Sequence, residues 1–453
     1  MNKYEIIVIG GGPAGITLSK MLGKKYKMAV VRPENYSMIY CALPYAIEGI
    51  IENEMTFKSD RLVTDAGVEL IRDKVIKINT ENKTLELATK EPISFEKLII
   101  ATGTIPFIPP IPGIELEGVT GFKTEDDLLW IEEKISKEIN DAVVVGAGAI
   151  GIELAQALAF KGINVHLVDI ADSVLPNMID KDMALKLQFE LSNKGVNFVP
   201  NSKVIELKGD NFVEEIIMDN GKVIKFQKSK NGKQTGIVIF AVGMRPNISV
   251  IKDTEISADN DGILVNNKME TNVKEIYAVG DCTQFYSGID NKVLSGKLAT
   301  NAVPMAKILG FNLLGQNREY KGFFNGAATK VGKYFAGGTG FSEKTAAQRG
   351  FEVICGYSEV TTKFPIMPTK KNKKMKLVVD KKTHRILGAQ IVSGEPVVGR
   401  IDLLTYAIQK KSTVEDLTEL SYASQPHQSF YPAANLVVLA AEDVLKLLGN
   451  QFS

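Results

Sequence analysis

Covalent chemistry is most readily built in this sequence where a cysteine precedes a short apolar segment with an early proline. The run is Ser37-Met38-Ile39-Tyr40-Cys41-Ala42-Leu43-Pro44-Tyr45-Ala46-Ile47-Glu48-Gly49. Proline is tolerated in a first helical turn, because its missing N–H has no helical partner there. The spacing therefore predicts Cys41 at a helix N-terminus, where partial positive charge favours thiolate, the nucleophilic form of the side chain. A buried structural cysteine would carry the same local sequence, so the elements around it must decide between the two.

Two segments are built to hold dinucleotides. The apolar run Glu5-Ile6-Ile7-Val8-Ile9 suits a buried parallel strand and feeds Gly10-Gly11-Gly12-Pro13-Ala14-Gly15, followed by a helical pattern to about Gly23. Gly10, Gly12 and Gly15 give the G-x-G-x-x-G fingerprint of tight turn, backbone approach to a pyrophosphate and close helix packing. The next strand, Met28-Ala29-Val30-Val31, ends at Val31 and Arg32 instead of the acid that holds an adenine ribose. Glu34 or backbone groups are left to hold the ribose, and Arg32 to stack on adenine or meet a phosphate.

The second segment is complete. Ala142-Val143-Val144-Val145 leads into Gly146-Ala147-Gly148-Ala149-Ile150-Gly151-Ile152-Glu153, and the strand Asn164 to Val168 ends in Asp169, an acid about 20 residues downstream. Asp169 can accept from a ribose 2′-hydroxyl and would repel a 2′-phosphate. With no Lys or Arg before Lys181, NADH is favoured over NADPH. Two such folds in one chain imply one site for a flavin and one for a nicotinamide.

Further strand ends are expected to line these sites. Lys97 to Ile100 runs into Ala101-Thr102-Gly103, Ile237 to Val242 into Gly243, and Glu275 to Val279 into Gly280-Asp281-Cys282. Asp281 is placed to accept a ligand hydroxyl, and Leu298-Ala299-Thr300-Asn301-Ala302 to start a helix against the same ligand. Cys282 reads as packing. The stretch Pro106 to Pro112 reads as a linker at a domain boundary. Beyond Tyr320, Leu377 to Asp380 and Ile386 to Val392 predict a hairpin. The run Lys370-Lys371-Asn372-Lys373-Lys374 reads as a solvated loop, or less simply as an attractor of an anionic substrate such as coenzyme A.

Composition narrows the field. A chain of 453 residues has length for about three domains, and 45% hydrophobic with 24% charged residues is ordinary for a globular protein. Lys+Arg 54 against Asp+Glu 53 leaves no net field to draw nucleic acid or an anionic membrane. No secretory leader and no apolar run of roughly 18 residues is evident. Three scattered cysteines suit neither a disulfide framework nor a thiolate metal site, so a reduced, cytoplasmic protein without metal is expected.

The order of these motifs resembles the flavoprotein pyridine nucleotide–disulfide oxidoreductases over nearly the whole chain. Within them it is most similar to the single-cysteine branch of coenzyme A disulfide reductases, NADH oxidases and NADH peroxidases. The residues that carry the resemblance are Gly10 to Gly15, Cys41-Ala42-Leu43-Pro44-Tyr45, Ala101-Thr102-Gly103, the second fingerprint with Glu153, and Ala278-Val279-Gly280-Asp281. It implies an α/β fold of two Rossmann-like dinucleotide-binding domains plus a C-terminal α+β dimerisation domain. The FAD domain would span 1–113 and 245–318, the NAD(H) domain 114–244, and the dimerisation domain of a homodimer 319–453. Hydride would pass from NADH to the flavin, and two electrons from the flavin to Cys41. The implied cofactor-binding residues are Gly10, Gly12, Pro13, Ala14, Gly15, Arg32, Ala101, Thr102, Gly103, Gly280, Asp281, Ala299 and Thr300, then Gly146, Gly148, Ile150, Gly151, Glu153, Asp169 and Gly243.

Departures from the family pattern carry information. Ala46 stands where the dithiol branch has its second cysteine, so Cys41 must cycle through a mixed disulfide, a persulfide or a sulfenic acid. Peroxide-reducing relatives carry a histidine inside the first glycine motif; this chain has Gly12-Pro13. Ala149 replaces a tyrosine that gates the nicotinamide site in many relatives, and Phe364 stands where a catalytic tyrosine is expected. Tyr422 fits the tyrosine that reaches the partner's cysteine, and His427 lies where the dithiol branch has its acid–base histidine. A group of pKa about 6.5 there could protonate a leaving thiolate. The expected activity is NADH-driven reduction of a disulfide, persulfide or polysulfide such as coenzyme A disulfide, through Cys41. The alternatives are an NADH oxidase or peroxidase, and an electron-transfer reductase for a protein such as rubredoxin.

Overall fold

The computed structural model describes residues 1–137, 139–227, 235–294 and 298–449. They divide into two compact units, one of Met1–Phe107, Lys123–Leu128 and Gly243–Phe323, the other of Ile108–Phe122, Leu129–Val242 and Phe324–Ser453. The first change of unit, between Phe107 and Ile108, falls inside the proline-rich stretch. No helix among the described residues is long and apolar enough to cross a membrane.

The first unit is built on a seven-stranded sheet. Asn2–Ile9 lies at its centre, parallel to Met28–Arg32 on one side and to Ile93–Ile100 on the other. Both edges of this strand are paired, and its side chains alternate between two buried faces, which explains its unbroken apolar run. Ile6 and Val8 join Leu18, Leu22, Met305 and Leu309 from the helices Pro13–Leu22 and Ala299–Leu313. Ile7 and Ile9 join Val31, Ile100, Ile263 and Cys282 on the opposite face. Each fully buried aliphatic side chain contributes roughly 1.5–3 kcal/mol.

The second unit repeats the parallel architecture. Its five-stranded sheet runs in the order Val119–Gly121, Gly236–Phe240, Asp141–Val145, Asn164–Val168, Val196–Val199. A separate antiparallel sheet follows, in the order Ala327–Val331, Tyr334–Gly340, Ile386–Ser393, Asn372–Asp380, Val353–Thr361, flanked by the helices Val398–Gln409 and Leu436–Leu447. The fold class is thus the expected α/β pair of Rossmann-like domains with an α+β C-terminal domain, and the predicted hairpin is present.

The basic run departs from the loop reading. Strand Asn372–Asp380 begins inside it, Lys373 opposite Ser393 and Lys374 opposite Val392, both half-buried. Lysine stems are long and apolar enough to lie along a sheet. Lys376, in the same strand, is 1% exposed and reaches Asp180 and Asp182 at 3.1 Å and Glu343 at 2.7 Å. Burial alone would lower its pKa, but the hydrogen bonds to Glu343, Asp180 and Asp182 and the charge of Asp180 hold it well above the usual lysine range.

Candidate active site

Cys41 is solvent-exposed in a short 3-10 turn, Tyr40–Ala42, directly before the helix Leu43–Glu48. Pro44 occupies the first turn of that helix and Gly49 closes it in the left-handed conformation at φ 87. Ala46 is buried behind the thiol segment. The position of the turn is fixed by a small antiparallel pairing, Ser37 with Lys58 and Met38 with Phe57, and by the Ile39 N–H donating to the Thr56 carbonyl at 2.8 Å.

That pairing brings up a cation the sequence does not announce. Lys58 is half-buried, donates to the Met38 carbonyl at 3.2 Å, and feels the charge of the Cys41 sulfur, which works against the burial that lowers its pKa. The other cysteines differ. Cys282 is fully buried, its thiol donating to the carbonyls of Ile100 and Val279, and burial pushes its pKa up. Burial likewise pushes the Cys355 thiol up to about 12.

The two glycine motifs are the same device built twice. In the first, the Gly10 N–H donates to the Val31 carbonyl at 2.9 Å and the Ala101 N–H to the Ile9 carbonyl at 2.8 Å. In the second, Gly146 donates to Val168 at 2.8 Å and Ala241 to Val145 at 2.7 Å. A Cβ on Gly15 would stand 2.2 Å from the Gly10 carbonyl oxygen, and one on Gly151 would stand 1.8 Å from that of Gly146. Only glycine lets each helix start so close to its turn. Gly12 and Gly148, by contrast, face open space, where a ligand's phosphates can approach the helix N-terminus.

The motifs differ at the equivalent strand-end position. Asp169 accepts from the Ala147 N–H at 2.6 Å and the Ala171 N–H at 2.7 Å, so its carboxylate lies against the glycine turn. In the first motif that place is taken by Arg32, whose Cδ packs so close to Gly11 that a Cβ there would meet it at 2.5 Å. Arg32 is 3% exposed, pairs with Asp60, and donates to the Asn35 carbonyl at 3.1 Å, while its buried Nε has no acceptor. An orphaned buried donor beside an open helix N-terminus fits an anionic, hydrogen-bonding ligand such as the FAD that the family resemblance implies.

Other strand ends converge on the first motif. Gly280, at φ 78, lies where a Cβ would touch the Cβ atoms of Ala302 at 3.2 Å and Ala14 at 3.8 Å, so Gly280-Asp281 meets the starts of both helices, Pro13–Leu22 and Ala299–Leu313. Thr102 Oγ1 donates to the Asn247 carbonyl at 2.6 Å, and Gly103, at φ 67, faces open space. Thr300 is exposed in the first turn of its helix, and Ala299 opens it. Gly243, at φ 112, starts the segment pairing Met244–Pro246 with Thr104–Pro106.

Lys123 is a second cation absent from the sequence reading. It donates to Thr104 Oγ1 at 2.8 Å and lies 5.1 Å from the Tyr40 ring centre. Burial brings its pKa down to about 8 against the opposing charges of Asp281 and Glu34. It reaches this place because residues 123–128 return to the first unit between two stretches of the second.

In the second unit, Ile150 lies half-buried in the first turn of the helix Ala149–Phe160, and Glu153 in the same helix accepts from Thr329 Oγ1 at 2.6 Å. The tail forms a folded-back turn. The Tyr422 hydroxyl donates to the Pro432 carbonyl at 2.6 Å, the Tyr422 ring meets Phe430 edge-on, and Tyr431 meets Phe364 edge-on at 5.5 Å. His427 is exposed, with its backbone N–H on Gln425 Oε1 at 2.9 Å. Tyr422 and His427 thus share one turn of the second unit, whereas Cys41 belongs to the first.

The family model for pyridine nucleotide-disulphide oxidoreductases matches residues 4–306, and that for the dimerisation domain of the same family matches 327–433. An NADH oxidase of Methanocaldococcus jannaschii is 32% identical over 98% of this chain and 99% of its own. An NAD(P)H coenzyme A polysulfide/persulfide reductase of Pyrococcus horikoshii is 29% identical over 93% and 95%. Among solved structures, an NAD-dependent persulfide reductase from A. fulgidus superposes with a TM-score of 0.90 at 27% identity, covering 98% of this chain and 84% of that one. Reduced Bacillus anthracis CoADR-RHD gives 0.91 at 26% identity, covering 99% and 81%. FAD and NAD(P)H are the cofactors typical of such proteins. The chain is an NAD(P)H-dependent flavoprotein oxidoreductase and belongs to the pyridine nucleotide-disulphide oxidoreductase family.

Proposed function

We propose that this enzyme uses NADH to reduce a disulfide, persulfide or polysulfide, coenzyme A disulfide among them, through Cys41 as its one redox-active thiol. The observation that carries the reading is an exposed cysteine beside the half-buried Lys58 ammonium, with buried Ala46 where a resolving thiol would stand. The Cys41 thiolate attacks one sulfur of the substrate, forming a mixed disulfide and releasing a thiolate. Two electrons from NADH and one proton then return Cys41 to thiolate and free the second thiol. Bound FAD supplies the two-electron relay between nicotinamide and sulfur. Residues of the first glycine motif, Arg32, Thr102 and Asp281 would hold it, and the second motif with Asp169 would hold NADH in preference to NADPH. In the homodimer, His427 of the partner subunit protonates the leaving thiolate, supported by its exposed ring and by the donor-rich turn that carries it.

Relatives named NADH oxidase support a second reading, in which oxygen is the acceptor. Gly12-Pro13, in place of the motif histidine of oxidase and peroxidase relatives, favours sulfur. The deciding experiment replaces Cys41 by Ser and follows NADH consumption anaerobically with coenzyme A disulfide or polysulfide, then aerobically with neither. Loss of the first activity with retention of slow oxygen reduction is expected. Undiminished disulfide and polysulfide turnover in Cys41→Ser would overturn the proposal.

A further inference from the structure

The C-terminal part of the second unit carries an open cleft of about 270 Å³ lined by Lys373, Gly399, Arg400, Gln428, Ser429 and Phe430. Lys373 stands on the strand Asn372–Asp380, Arg400 in the first turn of the helix Val398–Gln409, and the other polar groups on the tail turn. Three separate elements therefore bring donors to one place.

Charge is what distinguishes the cleft. Neither the Lys373 ammonium nor the Arg400 guanidinium has an ion pair or hydrogen bond to a described residue, although both are half-buried. Burial lowers the pKa of each, and the charge of Arg400 lowers that of Lys373 further. Glu395 opposes this at Lys373, but its carboxylate is engaged by Lys363 at 3.3 Å. Two like charges held together are unfavourable unless an anion joins them, and Glu395 offsets only part of this at Lys373.

Further donors face the same cleft. The Arg400 guanidinium lies 4.9 Å from the centre of the buried Phe430 ring, a cation–π contact that helps hold it at the cleft. Ser429 Oγ already accepts from the Gln425 N–H at 3.2 Å, so its hydroxyl hydrogen remains to donate. The Gln428 amide adds a further donor, and a Cβ on Gly399 would meet nothing within 4 Å, so the first turn of the helix faces open space. No carboxylate lines the cleft.

We infer that this cleft binds a phosphoryl group, as inorganic phosphate or as a phosphate monoester, between Lys373 and Arg400. The inference does not rest on Cys41, so its failure leaves the thiol chemistry untouched.

Inorganic phosphate is titrated into the FAD-loaded protein by calorimetry at pH 7.5, with sodium chloride at equal ionic strength as control, and glycerol 3-phosphate in a parallel series. Saturable phosphate binding is expected, weakened at least about tenfold by Lys373→Gln or Arg400→Gln and restored to within about threefold by Lys373→Arg. Should Arg400→Gln fail to fold, the two Lys373 variants carry the test alone. Tighter binding of glycerol 3-phosphate than of phosphate identifies an organic ester as the ligand, and the reverse identifies the free ion. Binding no stronger than the chloride control overturns the inference. Phosphate affinity unchanged in Lys373→Gln overturns it too, as does a shift of the monomer–dimer equilibrium in the variants without any phosphate effect.

Discussion

Lys58 and Cys41 share one electrostatic environment across the two-residue pairing of Ser37 and Met38 with Lys58 and Phe57. Burial lowers the lysine pKa, and the charge of the sulfur works to raise it, so the ammonium and the sulfur are coupled through their charges. Replacement by a neutral side chain of similar length breaks that link. Lys58→Met is expected to slow alkylation of Cys41 by iodoacetamide about three- to tenfold at pH 7. Mass spectrometry of the labelled peptide against time checks it, and an unchanged rate would show that Lys58 does not assist the thiol.

The tail turn makes a different prediction. His427→Gln should reduce turnover of a disulfide substrate by about a hundredfold, while leaving flavin bleaching by NADH unaltered. Stopped-flow of the two half-reactions separates these effects. An equal loss in both would mean that the variant damages the fold and not the proton transfer.

The glycine locks allow the two nucleotide sites to be disabled one at a time. Gly151→Ala places a Cβ 1.8 Å from the Gly146 carbonyl oxygen, and Gly15→Ala places one 2.2 Å from that of Gly10. Backbone cannot yield as a side-chain tip does, so each turn must open at a cost of about 1–3 kcal/mol. Gly151→Ala is expected to keep its yellow colour and lose NADH-dependent reduction; Gly15→Ala is expected to purify with little FAD. Flavin absorbance per chain and the apparent KM for NADH measure the two.

Stability of the second unit hinges on Lys376. Lys376→Met leaves Asp180, Asp182 and Glu343 facing one another without their cation; Asp182 and Glu343 are half-exposed and screened by water, so the loss is about 1–3 kcal/mol. Burial acts to raise the Asp180 pKa, but hydrogen bonds from Gln390 and the Glu343 N–H, with the Lys376 charge, bring it below the ordinary carboxylate value. A carboxylate depressed in the fold stabilises above its unfolded pKa of about 3.9 and loses that contribution as pH falls through the lower folded value. The deficit of Lys376→Met in thermal midpoint should therefore be full at pH 6 and narrow below about pH 4.

Local pattern made the parallel sheets, both glycine turns and the C-terminal hairpin legible in the sequence. A buried strand between two turns needs no information from elsewhere. Asp169 was legible for the same reason, since a strand end and a glycine turn lie within one supersecondary unit. Lys58, Lys123 and the Lys373–Arg400 cleft were not, because each owes its place to a partner far along the chain. Lys58 needs the pairing with Met38, Lys123 needs the return of residues 123–128 to the first unit, and Arg400 needs the tail to fold back to Phe430. The basic run misled for a related reason: charge density reads as solvent exposure, yet Lys376 is buried by three carboxylates whose positions no local pattern announces.

The interleaving of the two units bears on how the protein is made. The chain passes between them at Phe107, Phe122, Leu128, Val242 and Phe323, so no single proteolytic cut releases either one whole. On the ribosome, the central sheet of the first unit waits for the strand Ile276–Ala278 to pair with Ile93–Ile100, and its helical layer waits for Ala299–Leu313. Until then the apolar face of Pro13–Leu22 lacks its partner helix. Capture of the flavin is thereby a late event in synthesis, and a nascent chain halted before residue 276 exposes an unfinished nucleotide fold to chaperones and proteases.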